Sequence, residues 1–220
     1  MFINTPCANQ LLNSWRHRTG KLLWLGLFSV LVNLALASTF AHAIANPQVT
    51  PSFLKNYLSE PVSNGHGAFR WFGLKIYDAQ LWTPAKASFN GDAAPNLVNS
   101  AANLFAQPFA LRLTYARSLK GVRIAESSAE ELARLQLGTA AQRAQWLQRM
   151  TALFPDVEEN DAITGLYLPG VGAKFYFNQQ PLGTIEDDAF ARAFFAIWLD
   201  ARTRAPDLRA ALLNRASRGN

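Results

Sequence analysis

The sequence predicts an α+β domain, an antiparallel sheet covered on one face by helices, and three observations carry that expectation. Phe109, Leu111, Leu113 and Tyr115 alternate with Ala110, Arg112, Thr114 and Ala116, the pattern of a half-buried strand. Asp161 to Leu168 and Ala173 to Asn178 read as two further strands around the breaker Pro169-Gly170-Val171-Gly172, which supplies a hairpin. Between and after these strands, apolar residues recur at helical spacing. Strands and helices that segregate along the chain argue for an antiparallel sheet with helices on one side.

The elements run in order from the N-terminus. Met1 to Gly20 is polar and basic, Leu22 to Ala37 is apolar, and Ala41-x-Ala43 is a small-residue cleavage site, with Ala43-x-Ala45 as a second. Residues 1–43 are therefore expected to be a signal peptide and residues 44–220 one domain. The run contains Ser29 and Asn33 and falls short of the ~20 residues that span a bilayer comfortably. Phe53, Leu54, Tyr57 and Leu58 fit either one helical turn or a first strand. Ser63-Asn64-Gly65-His66-Gly67 has turn composition.

Phe69 to Trp82 is aromatic and β-branched enough for a strand or hairpin, with Gly73 as a candidate bulge. Unbroken alternation puts Arg70 with Phe72, Leu74 and Ile76, and Trp71, Lys75 and Tyr77 on the other face. Thr83 to Gln107 reads as loop with room for one short helix. Val122 to Leu135 is helical, with Ile124, Ser128, Leu132 and Leu135 along one side. Thr139 and Gln142 form a capping-box pair for the next helix, which buries Trp146, Leu147, Met150 and Phe154 and stops at Pro155. Gln180-Pro181-Leu182-Gly183 reads as a turn. Asp187 caps a helix through Phe190, Phe194, Ile197 and Trp198, with Phe194 and Trp198 as core candidates, and Pro206 opens a last helix. Ser217 to Asn220 should fray.

Composition narrows the function. The chain is 50% hydrophobic and carries 15 Phe and 6 Trp, a load that suits a packed core or an apolar ligand cavity. Of 21 basic residues, Arg16, Arg18 and Lys21 precede the apolar run, leaving 18 against 15 acidic ones, too mild and evenly spread a balance for nucleic-acid binding. The only cysteine, Cys7, and two of the three histidines lie within residues 1–43. Residues 44–220 hold no thiolate, no disulfide and a single histidine, His66, so no cysteine or histidine-rich metal site is expected. No G-x-S-x-G elbow and no phosphate loop occur, and no cofactor is expected. The acidic groups Glu158, Glu159, Asp161 and Glu186, Asp187, Asp188 read as structural, the second at a helix start where carboxylates meet the dipole favourably.

The order FPDV, ITG, PG, FYFN and FARAFFAIWLD, extended back through PFALRLTYARSLKG and FRWFGLKIYDAQLW, resembles the bacterial chalcone-isomerase-like proteins. These are relatives of plant chalcone isomerase and of plastid fatty-acid-binding proteins. The resemblance covers roughly Phe53 to Leu213. It implies an open-faced β-sandwich with a cleft between sheet and helices. It also implies an arginine after a Gly-rich turn that holds a ligand's anionic end, and Gly65-His66-Gly67-Ala68-Phe69-Arg70 looks like that turn and arginine. Guanidinium stays charged and forks onto a carboxylate. The other reading of Arg70, pairing with a structural carboxylate such as Asp78, stays open. The plant enzymes use a tyrosine after a Thr-Gly turn, whereas Leu119 to Ile124 holds none, which argues against chalcone cyclisation. Tyr77 and Tyr115 are the further candidate ligand-binding residues, with Tyr167 and Tyr176 also available to a cleft.

The resulting expectation is an exported, periplasmic, non-catalytic binder of fatty acids or similar amphipathic or aromatic carboxylates. It has no nucleic-acid partner and no stable membrane insertion after cleavage. The alternatives are an isomerase or lyase of the chalcone isomerase type, a structural or interaction protein of the cell envelope, and retention of the N-terminal run as an inner-membrane anchor.

Overall fold

The computed structural model describes residues 50–85 and 104–214. The expected signal peptide, its cleavage sites, most of the Thr83–Gln107 segment and the fraying terminus lie outside them. Six strands form one antiparallel sheet in sequence order: β1 (Pro61–Trp71), β2 (Leu74–Pro84), β3 (Phe109–Tyr115), β4 (Ala162–Leu168), β5 (Gly172–Phe177) and β6 (Gln180–Ile185). Helices α1 (Gly121–Arg134) and α2 (Ala140–Leu153) separate β3 from β4. Helices α3 (Asp188–Leu199) and α4 (Pro206–Leu212) come after β6. The sheet-on-helices architecture is the α+β fold expected.

One core lies between sheet and helices. Leu81, Leu111, Phe109, Ile163, Tyr167 and Phe175 of the strands meet Leu132, Trp146, Met150, Phe190, Phe194, Phe195 and Trp198 of the helices, all buried. Local chemistry fixes the helices that supply them. Thr139 Oγ1 accepts from Gln142 N at 3.2 Å while Gln142 Oε1 accepts from Thr139 N at 2.8 Å, the reciprocal capping box. Asp187 Oδ1 accepts from Phe190 N at 2.9 Å, and its other oxygen takes the indole N–H of Trp146, also at 2.9 Å. One carboxylate thus caps α3 and ties α2 to it. On the opposite sheet face a turn of 3-10 helix, Ser52–Asn56, covers a smaller cluster of Phe53, Leu54, Leu58, Trp82, Ala110, Leu166 and Tyr176. Phe53 stacks on Tyr176 at 3.8 Å. Lys174 donates from Nζ to Tyr57 Oη at 2.8 Å on this face.

Three local expectations are corrected. Asn64 to Gly67 is strand, not turn. A Cβ on Gly65 would sit 2.1 Å from the carbonyl oxygen of Ala211, so the glycine lets α4 lie against β1, and Asn64 Nδ2 donates to Leu212 O at 2.8 Å. Gln180 to Gly183 is strand β6, and the turn before it is Asn178-Gln179, with Asn178 at φ 55°. Pro181 is tolerated because β6 is an edge. Gly73 marks no bulge. Phe72 (φ 48°) and Gly73 (φ 80°) are the two positive-φ residues of a tight hairpin between Trp71 and Leu74. The bulge is at Ile76, where Phe69 pairs with Tyr77 and Arg70 with Lys75.

Candidate functional site

A cavity of about 400 Å³ opens between the sheet and helices α1 and α3. Its walls are Phe69 and Trp71 of β1, Ile76 and Tyr77 of β2, Leu113 and Tyr115 of β3 and Ile163 of β4. Ile124 and Ser128 of α1, Phe194, Ile197 and Trp198 of α3, and Phe154 complete them. The strands deliver these residues because alternate side chains share a face, and the extra residue at Ile76 turns Ile76 and Tyr77 toward the cavity together.

Tyr77 and Tyr115 are direct cross-strand partners with rings 6.0 Å apart, edge to face. Trp198 Nε1 donates to Tyr77 Oη at 2.9 Å, which leaves the Tyr77 hydroxyl proton free to donate. Tyr115 Oη makes no hydrogen bond among the described residues. Burial pushes both phenols well above the ordinary value. Trp198 partly offsets the shift for Tyr77, and the neighbouring Tyr77 adds to that of Tyr115. At neutral pH the cavity therefore presents two uncharged O–H groups in an apolar wall.

The exposed cations Arg123 and Arg204 mark the mouth, while the more buried Glu131 is near enough for its charge to help push up the Tyr77 phenol. Arg123, Glu130 and Glu131 of α1 and Arg204 after α3 line the cavity here. Glu131 accepts from Arg134 at 2.8 Å and Arg204 at 2.7 Å, and Arg123 pairs with Glu126 at 2.8 Å. The Arg204 guanidinium lies 6.0 Å over the Trp71 ring. The sequence pointed to Tyr77 and Tyr115, and the structure brings them together in the wall. Arg70 lies elsewhere: Phe69 and Trp71 on either side of it face the cavity, so it points away, exposed, with Nη1 3.5 Å from Gly73 O. Nor does it meet Asp78, which pairs with Lys75 at 2.5 Å. Arg123 and Arg204 were missed because each reads as an ordinary helix-surface or helix-end cation. Among the described residues no cluster of His, Cys, Asp and Glu could hold a metal, and no helix is long and apolar enough to cross a membrane.

Comparison with known proteins agrees with this fold. The family model described as chalcone isomerase-like matches residues 62–214. An uncharacterized protein of Haemophilus influenzae is 30% identical over 109 residues, 50% of this chain and 53% of that protein, so the match spans about half of the relative's length. The crystal structure of an Arabidopsis thaliana fatty-acid binding protein superposes with a TM-score of 0.56 at 16% identity, covering 70% of this chain and 87% of that one. At that identity the likeness is one of fold.

Proposed function

We propose that this chain, which belongs to the chalcone isomerase-like family, binds an amphipathic small molecule of the fatty-acid type in the sheet–helix cavity and does not transform it. The observation that carries the reading is the cavity itself: apolar walls, two neutral phenol donors inside, and cations only at the mouth. Its size and its few placed polar groups are those of small-molecule sites. The fatty-acid binding protein of the same fold supports the ligand class.

The distribution of charge orients the ligand. A carboxylate buried against two neutral phenols would lose its hydration without gaining a cation, a cost of several kcal/mol per ion. The apolar body therefore enters and the carboxylate stays at the mouth, within reach of Arg123 and Arg204. The hydroxyls of Tyr77 and Tyr115 receive a neutral oxygen or remain above the chain. The same hydroxyls could polarise a carbonyl, the one feature favouring the isomerase alternative. Against it, Glu131, the lining carboxylate whose charge reaches Tyr77, is held by two arginines rather than placed as a base.

The test is titration with a fluorescent fatty acid and its methyl ester. The acid should bind more tightly than the ester, and Arg123→Gln with Arg204→Gln should weaken the acid by about ten-fold or more, each cation contributing ~1 kcal/mol. Arg70→Ala should leave both affinities within about two-fold, given its place outside the cavity. Equal affinity for acid and ester, or a large loss from Arg70→Ala, would overturn this placement. Turnover of a chalcone would move the reading to the isomerase. Export with cleavage after Ala43 or Ala45 belongs to the same proposal. The basic start, short apolar run and small residues support it, and N-terminal sequencing of the mature protein tests it.

A further inference from the structure

We infer that the tip of the β1–β2 hairpin is a membrane-docking wedge, one that seats the mouth of the cavity on an anionic bilayer surface. Three large apolar side chains crowd four residues of the tip: Trp71 is 46% exposed, Phe72 90% and Leu74 58%. Single exposed hydrophobics are ordinary, but a contiguous set marks a contact surface. Phe72 sharpens the point. Its φ of 48° is a backbone position that suits Gly or Asn, and its one ring contact among the described residues is with Trp71, at 5.1 Å. Neither the turn nor the core calls for a phenylalanine there.

The chemistry around the tip fits a lipid surface. Trp favours the depth of the headgroups, where its ring is half in hydrocarbon, while Phe and Leu go slightly deeper. The tip is flanked by Arg70 and Lys75, and Arg204 lies over Trp71. Arg70 has no carboxylate partner among the described residues; its one hydrogen bond is to Gly73 O. A guanidinium with its fork unused, just behind an apolar point, is placed to take lipid phosphates. A protein partner fits less well, because a stable interface covers about 800 Å² on each side and a two-residue turn offers a point. Trp71 also lines the cavity, so the wedge and the mouth are one structure. A molecule leaving the bilayer would meet apolar wall without crossing water. Docking itself needs no ligand, so it can fail while the ligand reading stands, and the reverse.

The experiment uses the full chain with Cys7→Ser and one new thiol carrying a polarity-sensitive fluorophore, at Phe72→Cys or at Val171→Cys. Val171 is also exposed, in the β4–β5 turn at the opposite end of the sheet, and serves as the control. Vesicles of phosphatidylcholine with phosphatidylglycerol should blue-shift the Phe72→Cys label and leave the Val171→Cys label unchanged. Phosphatidylcholine alone should act more weakly. Adding Arg70→Gln should raise the lipid needed for the half-maximal shift about five-fold, the worth of one cation near such a surface. Adding Leu74→Ser should raise it further. No shift at position 72 overturns the inference. So does an equal shift at both positions, which would mean tethering by another part of the chain, and so does a concentration-dependent shift without lipid, which would mean self-association.

Discussion

The two ends of the helix-covered sheet face are built from the same kinds of residue and do opposite things. At one end Phe109, Tyr167 and Phe195 meet ring to ring at 5.0 to 6.0 Å, and the space is filled. At the other, Phe69 and Tyr77 stack at 5.1 Å, Tyr115 stands edge-on to Tyr77, and the space beyond them is open. The difference comes from what lies opposite. The filled end meets Phe195 on a helix anchored at its start by Asp187. The open end faces the polar-edged side of α1, where Ser128 returns its hydroxyl to Ile124 O at 2.8 Å and leaves no bulk to fill the gap. Aromatic content sets how much apolar surface a domain can bury, while the element opposite decides whether that surface becomes core or cavity.

The sharpest way to break this comparison is to truncate one residue at each end. Phe195→Ala, at a fully buried site, should cost ~3–5 kcal/mol. Ile197→Ala, whose side chain already borders empty space, should cost well under half as much, because a cavity wall loses fewer contacts. Chemical denaturation of both variants measures the difference, and equal losses would mean that the open end is filled in solution. Next in size is Asp187→Ala. It removes the cap of α3 and the acceptor of the Trp146 indole together and should cost about 2 kcal/mol, more than a cap alone. Asp187→Asn should recover the cap alone, because its amide nitrogen is a donor and cannot accept from the Trp146 indole.

The smallest effect is electrostatic and belongs to the open end. The phenols of Tyr77 and Tyr115 ionise later in the folded chain than in the unfolded one, where tyrosine titrates near pH 10. Their contribution is therefore fully present below about pH 10. It is lost as pH rises further, because the unfolded chain releases its protons first. Thermal melts between pH 9 and pH 11.5 should show a decline that Tyr115→Phe makes shallower. An unchanged slope would place that hydroxyl in contact with bulk water.

What the sequence disclosed divides along the same line. The capping box at Thr139, the cap at Asp187 and the alternation of β3 depend on residues within a few positions of one another, and all were legible. Gly65 was misread because the backbone that demands a glycine there belongs to α4, some 150 residues later. Strand β6 was hidden because Pro181 and Gly183 suit a turn as well as they suit an edge. The parity around Arg70 rested on unbroken alternation, and one extra residue at Ile76 changed which side chains share a face. The cavity mouth was not legible at all, since Arg123 and Arg204 acquire meaning only from the opening they border.

The seat that Gly65 provides for α4 also has a consequence in time. A sheet whose strands pair in sequence order can grow strand by strand as the chain emerges, pausing chiefly for the two helices between β3 and β4. Strand β1 is the exception, for although its pairing with β2 is immediate, the element lying on it is the last one synthesised of those described. Until Leu212 has emerged, the first hairpin carries one bare face, with Trp71, Phe72 and Leu74 at its end. This is the interval in which a nascent chain is most exposed to aggregation, and in which a chaperone would have most to hold.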